Sequence, residues 1–547
     1  MEYLLPFIVA LLVTMAGLIA LVRLGMRWLP VDQPDSRKVH SVPIPRIGGL
    51  AMAIGVLVAA IATVDLSSQD RWFLLACGIL TVFGALDDRL NLDYRLKLVG
   101  QLIAVVIVVT LGGVQVSSIT LDDQVLLPAY VSVPLTVLFL VGVTNAINLA
   151  DGLDGLAGGT SFLCLCAIAL LSKLGDSGTS AALAVVFAGA VLGFLRFNTY
   201  PASVFMGDAG SQLLGFATGA LSVRATQGAG TTVSAALPVL LLALPVLDTL
   251  SVMVQRISEG RSPFSADRNH IHHKLLALGF HQYEAVALIY FVQAALFVVA
   301  YLMRYESDLL VIGVVTLFFI GTITSLQIAT RTGWRIRKPE TDRPSVSASI
   351  AHFSRGVRLL PRASYLAIVL ALGTYAITIV AEDTPALSGD ISTLLVALLG
   401  LVVVLLGIMR NAPLNLIEKA VLYVTATVLV YLDAFVLPVS KVPSTVTLIA
   451  VSIAAVAAAI RLRLSFEQRF RLTPLDLIVL FMALVVPNIS GSLGLPHGGA
   501  LAIAKLVIVF YAVEMLIDCA RRQAMWMRLA TASVLASLTV RSLLLVH

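Results

Sequence analysis

The sequence predicts an all-α polytopic membrane protein, and three observations carry that expectation. Apolar runs of about 17 to 25 residues recur along nearly the whole chain, the length a helix needs to cross a bilayer. The composition agrees: 59% of residues are hydrophobic, 12% are charged, and the mean hydropathy is +0.97. Within the runs, Val, Leu, Ala and Ile follow one another without the polar/apolar alternation of an outer-membrane barrel strand. A helix satisfies its own backbone hydrogen bonds in lipid, so such runs form helices. A net charge of +6 in this setting is an orientation signal to be read loop by loop, and nucleic acid is not an expected partner.

The first span, 4–28, follows Glu2 instead of a basic segment and is long enough to cross, so it reads as a retained helix and not as a cleaved signal peptide. Further spans are expected at 48–64, 71–86, 97–112, 129–147, 155–172, 181–196, 209–223, 233–254, 284–303 and 309–330, about eleven in all. Loops on alternate sides differ in charge. One set holds Arg37, Lys38 and Arg46, then Arg89, Arg95 and Lys97, then Arg196, then Arg256, Arg261, Arg268 and Lys274. The other is short and poor in Lys and Arg, and its "VQVSSITLDDQ" stretch reads as a small β-hairpin. The positive-inside rule puts the first set in the cytoplasm and the N-terminus outside an inner (plasma) membrane. The cysteines Cys77, Cys164, Cys166 and Cys519 lie in or at the edges of apolar runs and read as small buried hydrophobes, neither disulfides nor metal ligands.

From Arg331 to Arg362 runs a basic segment with Pro and Ser, too polar to span and best read as a cytoplasmic linker. It divides the chain into a membrane domain at 1–330, the linker at 331–362 and a C-terminal membrane region at 363–547. The last region has about seven further runs, near 364–381, 391–409, 415–437, 443–460, 474–490, 499–517 and 529–546. Its loops sort by charge again, with "RLRLSFEQRFR" and "CARRQAMWMR" inside and "AEDTPALSGD" outside.

Polar residues collect on one face. The stretches "DQPDSRKVHSVPIPRIGG", "GALDDRLNLDYRLKLVGQ", "NAINLADGLDGLAGG", "FNTYPASVFMGDAGS" and "RISEGRSPFSADRNHIHHKLLALGF" all fall on the expected cytoplasmic side. The positive-inside rule accounts for their basic residues but not for the acids and histidines. Asp87, Asp88, Asp151, Asp154 and Asp208 would place clustered negative charge at a membrane surface, where unpaired carboxylates are costly. Oxygen ligands without cysteine suggest Mg²⁺, or Mn²⁺, joined to substrate phosphates. The plainer alternative is salt bridging of Asp87 and Asp88 to Arg89, Arg95 or Lys97, an alternative weaker for Asp208, which has no basic residue near it in sequence. His270, His272 and His273 allow a zinc site, but with Arg268 and Lys274 beside them an anion-binding loop is the preferred reading.

Together these stretches resemble the polyprenyl-phosphate N-acetylhexosamine-1-phosphate transferase family. The motifs "DDR" with the downstream "RLKLVGQ", "NxxNxxDGxDGLAGG", "FMGDAGS" and "SPFSADRNHIHH" occur in family order over roughly residues 1–330. The resemblance implies transfer of a sugar 1-phosphate from a UDP-N-acetylhexosamine to undecaprenyl phosphate, with release of UMP, at a cytoplasm-facing site. It further implies that Asp208 is the principal Mg²⁺ ligand, helped by Asp151, and that Asn148 and Asp154 hold the nucleotide or metal site. Phe205 would stack on uracil. His270, His272 and His273 would meet the diphosphate, with Arg268 in the same loop, and Arg95 and Lys97 the phosphates. Asp87 or Asp88 would position the acceptor phosphate or remove its proton. The histidine loop is closer to the branch that makes undecaprenyl-diphosphate-GlcNAc for surface polysaccharides than to the branch acting on UDP-MurNAc-pentapeptide. A homodimer is compatible with this reading. The competing class is a cation-coupled transporter, but its acids belong near mid-bilayer and here they sit at loop edges. Residues 363–547 lie outside the resemblance; a structural or partner-binding bundle is expected there, with Asp433, Glu514 and Asp518 as markers of an alternative polar path.

Overall fold

The computed structural model describes residues 3–25, 30–32, 43–121, 123–175, 177–227, 233–262, 269–336, 360–382, 416–436, 441–464, 499–519 and 524–544, with short pieces between 395 and 403. The chain forms two compact units, the first running to Glu340 and the second holding most of the remainder from Thr341.

The first unit is built from helices α1 (Leu4–Gly25), α2 (Gly48–Thr63), α3 (Ser68–Leu90), α4 (Tyr94–Thr110), α5 (Ala129–Ala150), α6 (Leu156–Leu174), α7 (Gly178–Asn198), α8 (Gly207–Thr226), α9 (Leu237–Leu241), α10 (Ala243–Ser258), α11 (Ile271–Ala277), α12 (Gln282–Leu302) and α13 (Asp308–Arg331). Every span expected before the linker other than 233–254 falls on a single helix, and among the described residues seven helices are long and apolar enough to cross a membrane, six of them in this unit. The protein is an all-α, multi-pass membrane protein. Outward-facing Leu309, Leu317 and Ile320 on α13 are the surface that lipid, not water, should meet.

Helix α8 is the axis of this unit, packed by α2, α3, α5, α6 and α7 and buried over nearly its whole length. Its small residues permit that crowding: a Cβ on Gly84 of α3 would overlap the Ala209 backbone. Helices α3 and α8 run antiparallel and are locked at both ends. At one end the buried Asp70 pairs with Arg224 at 2.6 Å. About 27 Å along α3, at its other end, Asp88 accepts from the first amides of α8. The same two ends define the faces of the unit.

On the Asp70 face, strands β3 (Ser118–Thr120) and β4 (Gln124–Leu126) form the expected antiparallel hairpin. Asp308 ties it down, accepting from the Thr120 amide and from Ser234 and Ala236. On the opposite face, β1 (Val31–Asp32) and β2 (Ile44–Pro45) make a short antiparallel ribbon ahead of α2.

The structure corrects one expected span. Residues 233–254 do not form a single helix; the chain breaks at Leu242 between α9 and α10. Pro245 has no amide to offer the Leu241 carbonyl four residues earlier. That buried carbonyl instead accepts from the Gln293 side chain of α12 at 2.9 Å, so the break is satisfied internally.

The second unit contains α14 (Leu360–Ala381), α15 (Leu416–Tyr431) continuing into a π-helical turn (Leu432–Val436), α16 (Lys441–Leu464), α17 (Gly499–Cys519) and α18 (Ala524–Leu544). Tyr375, Ile379, Leu429, Val509 and Leu535 lie in its apolar core. Asp433 in the π-turn accepts from Lys505 at 2.6 Å, Tyr375 at 3.1 Å and Thr447 at 3.2 Å, so the acid is paired by three other helices. The expected run at 474–490, most of 391–409 and of the linker, and the side chains of Glu514 and Asp518 lie outside the described residues.

Candidate active site

Asp87 ends α3. Its Oδ1 accepts from the Leu92 amide at 2.7 Å, closing the turn that follows the left-handed Asn91 (φ 49°). Its Oδ2 meets the Lys97 ammonium from the first turn of α4, and the same ammonium reaches Asp208 Oδ2 at 2.8 Å. Lys97 thus bridges two carboxylates that are far apart in sequence. Asp208 therefore does have a basic neighbour, supplied by another helix, and the salt-bridge reading holds for Asp87 through Lys97. The other oxygen of Asp208 accepts from Asn148 at 3.1 Å, and Asn148 also donates to Ser211 at 2.7 Å.

Asp88 has a different task. Its two oxygens accept from the Asp208 and Ala209 amides at 2.9 and 3.1 Å, satisfying donors that the start of α8 leaves open. Gly207 has φ +71°, and a Cβ there would overlap Asp88 Oδ2, so the approach requires glycine. Arg46 lies 3.7 Å from Asp88 and also pairs with Asp32 of β1. The backbone beside it joins Phe205, whose amide donates to the Pro45 carbonyl at 2.9 Å and whose carbonyl accepts from Gly48 at 3.0 Å. Phe205 is half-buried at the approach to α8.

The loop from Asp151 to Gly155 completes the cluster. Asp154 accepts from the Ala202 amide at 3.0 Å and joins this loop to the segment before α8. Gly155 donates to Asn198 at 3.0 Å and accepts from the Tyr290 hydroxyl at 2.6 Å. Asp151 stands in the field of Asp208 and Asp88, with Arg46 as the opposing charge.

The histidine loop reaches the same place. His270 and His272 are buried and stacked, with ring centroids 5.7 Å apart, and the half-buried His273 lies 4.2 Å from His272. A Cβ on Gly152 would collide with His272 Nε2, which explains a glycine between Asp151 and Leu153. Two expected residues are not joined to the cluster. Arg95 is exposed on α4, donating to Tyr94 at 3.2 Å, and Arg268 lies outside the described residues.

The electrostatics follow from this crowding at the helix ends. Burial, then the neighbouring Asp208, raises Asp87. Burial alone would raise Asp208 too, but its bonds with Asp87, Lys97 and Asn148 outweigh it and hold Asp208 below the usual carboxylate range. Asp88 is pushed up to about 6 by burial, partly offset by the two α8 amides. Asp151 is pushed up to about 7 by burial and by the negative charges of Asp208 and Asp88. Burial lowers His272 to about 4, so it is neutral near pH 7.

Among the described residues, no three His, Cys, Asp or Glu side chains converge at metal-ligand spacing. Mg²⁺ asks for less, since it commonly takes one or two carboxylates and completes its shell with water and phosphate. Asp208 and Asp151 fit that donor set, because a cation beside Asp151 would relieve the repulsion that raises it.

Sequence reasoning missed two participants. Arg46 was legible only as an orientation charge, yet it pairs with Asp32 and Asp88. Asp248, on α10, lies 3.0 Å from His270 Nδ1 and accepts from the Ile271 amide at 2.7 Å. Its signal was a lone acid inside an apolar run.

Residues 71–226, which carry Asp87, Asp88, Asp151, Asp154 and Asp208, match the profile of glycosyl transferase family 4. A Bacillus subtilis protein named "Probable undecaprenyl-phosphate N-acetylglucosaminyl 1-phosphate transferase" is 38% identical over 290 residues, covering 52% of this chain and 80% of that protein. A decaprenyl-phosphate N-acetylglucosaminephosphotransferase of Mycolicibacterium smegmatis is 38% identical over 298 residues, 49% of this chain and 73% of that protein. The undecaprenyl-phosphate alpha-N-acetylglucosaminyl 1-phosphate transferase of Escherichia coli K12 is 31% identical over 306 residues, 53% of this chain and 82% of its own. The chain belongs to glycosyl transferase family 4, among the polyprenyl-phosphate N-acetylhexosamine-1-phosphate transferases.

Proposed function

We propose that this enzyme transfers N-acetylglucosamine 1-phosphate from UDP-N-acetylglucosamine to undecaprenyl phosphate, releasing UMP and starting a lipid-linked surface polysaccharide at the cytoplasmic side of the inner membrane. The observation that carries the reading is the convergence of Asp87, Lys97, Asn148, Asp151 and Asp208 from four helix ends and one loop. That is the charge distribution needed where two anionic phosphates must meet.

In the reaction, an oxygen of the lipid phosphate forms a bond to the sugar-bearing phosphorus. The bond from that phosphorus to the bridging oxygen breaks, and UMP leaves with the electron pair. The acceptor oxygen is already anionic near neutral pH, so alignment and charge neutralisation matter more than a strong base. Lys97 is the cation that can turn from its two carboxylates to the incoming phosphates. Asp87, raised by burial, is suited to accept a residual proton from the acceptor phosphate, whose second ionisation lies near pH 6. Asp88 is committed to the α8 amides and keeps Asp208 in place. Asp208 and Asp151 would hold Mg²⁺, which would supply positive charge against the diphosphate. The half-buried Phe205, at the approach to α8, is the ring suited to stack on uracil, and His273 is the most exposed of the three loop histidines.

The test is UMP release by the purified full-length protein in nanodiscs containing undecaprenyl phosphate. UDP-GlcNAc should be used in preference to UDP-GalNAc and UDP-MurNAc-pentapeptide, and EDTA should stop the reaction until Mg²⁺ is restored. Folded protein that releases no UMP from any of the three donors would overturn the proposal.

A further inference from the structure

We propose that Asp248 is a positioning residue for the phosphate-transfer site, holding a column of histidines against the loop that carries Asp151; this rests on the transfer reaction proposed above. Asp248 lies in the apolar helix α10 and is 7% exposed, a placement that costs stability unless the carboxylate is paired. Both of its oxygens are used. One accepts from the Ile271 amide at 2.7 Å and the other faces His270 Nδ1 at 3.0 Å. An ionised carboxylate can only accept, so the hydrogen of His270 sits on Nδ1, and Asp248 sets both the tautomer and the plane of the ring.

From His270 the order passes on by packing. The rings of His270 and His272 lie within 7° of parallel, and His272 Nε2 presses on Gly152, where no side chain would fit. A cavity of about 30 Å³ lined by Asp248, His272 and Thr160 lies alongside, large enough for one water to link the acid to the second ring as well. An acid on α10 therefore fixes where Gly152, and with it Asp151, stands. The roles differ: Asp151 faces the reacting groups, whereas Asp248 acts only through the rings.

Asp248→Asn tests this in the full-length protein. The amide keeps an acceptor for Ile271 but presents an N–H to His270 Nδ1, which drives the ring hydrogen to Nε2. ¹⁵N-histidine NMR, with the His270 signal identified by its loss in His270→Ala, should show Nδ1–H in the wild type and Nε2–H in the variant. Nε2–H in the wild type would overturn the proposal even if the variant did not fold. Turnover of UDP-GlcNAc should fall roughly 10- to 100-fold, as for other partners that orient a functional imidazole. In a His270→Ala background the same substitution should cost nothing more, whereas additive losses would assign Asp248 a purely structural role. A wild type that transfers no sugar phosphate overturns the reaction and not the pair, which the nitrogen shifts decide by themselves.

Discussion

Asp208 shows what one side chain contributes here. It accepts from Lys97 and Asn148, and it lies at the start of the helix whose amides Asp88 caps. Asp208→Asn keeps the size and the Asn148 contact but removes the anion that pairs with Lys97 and would ligate Mg²⁺. Turnover should fall by more than about 100-fold with the melting temperature little changed; near-normal turnover at limiting Mg²⁺ would remove Asp208 from the metal site. His272 gives a pH signature. Its folded value of about 4 lies below the unfolded 6.5, so the unfolded state binds the proton first. Its contribution is neutral above pH 6.5 and becomes a growing penalty as pH falls from 6.5 to 4, reaching about 3 kcal/mol. The stability difference between His272→Gln and the wild type should therefore shift toward the variant across that window, as read by thermal unfolding at several pH values; a pH-independent difference would contradict the burial argument. The acids and histidines were legible in the sequence because charged residues in so apolar a chain need a reason. Their pairings were not, because Lys97 and Asp208 are 111 residues apart and meet only through the packing of α4, α3 and α8.

At the scale of elements, the packing of α3 on α8 decides whether the cluster exists. Gly84 lies one turn before Asp88 and faces the α8 backbone, whereas Gly78 on the same helix meets nothing within 4 Å. Gly84→Ala should destabilise the protein by about 1–3 kcal/mol and separate Asp88 from the amides it caps. Gly78→Ala should be tolerated. Thermal unfolding of the two variants in one detergent checks this, and equal tolerance would mean that α3 and α8 are not held by that contact. Hydrophobic run length was enough to find most of the helices, since every expected span before the linker other than 233–254 falls on a single helix. It was not enough to find the break at Leu242. The prolines Pro238 and Pro245 were visible in the run, but their effect depends on Gln293 being present on α12 to satisfy the Leu241 carbonyl.

For the molecule as a whole, the pattern of basic loops and the clustering of acids at one set of helix ends make a single claim about sidedness. Asp87, Asn148, Asp154 and Asp208 come from different loops and helix ends yet belong to one connected site. Single cysteines at Asn91 and Ser203, beside the cluster, should be shielded from an impermeant thiol reagent in intact cells, and one at the exposed Ser68, the first residue of α3, should label. Labelling at Asn91 or Ser203 with Ser68 protected would reverse the orientation. The division of labour between the two units was the least legible feature, because the second carries apolar helices like those of the first but a single described acid–base pair, Asp433 with Lys505, already satisfied by its neighbours.

The central claim is that phosphate travels with the sugar. Full-length protein in nanodiscs, supplied with undecaprenyl phosphate and UDP-GlcNAc labelled with ³²P at the sugar-bearing phosphate, reports this directly. Label should move into the lipid fraction in a one-to-one ratio with released UMP, and Asp208→Asn should abolish both. Lipid-linked sugar formed while the label remains soluble as UDP would mean simple glycosyl transfer, and the assignment of the Asp87, Lys97 and Asp208 cluster to phosphate chemistry would be wrong.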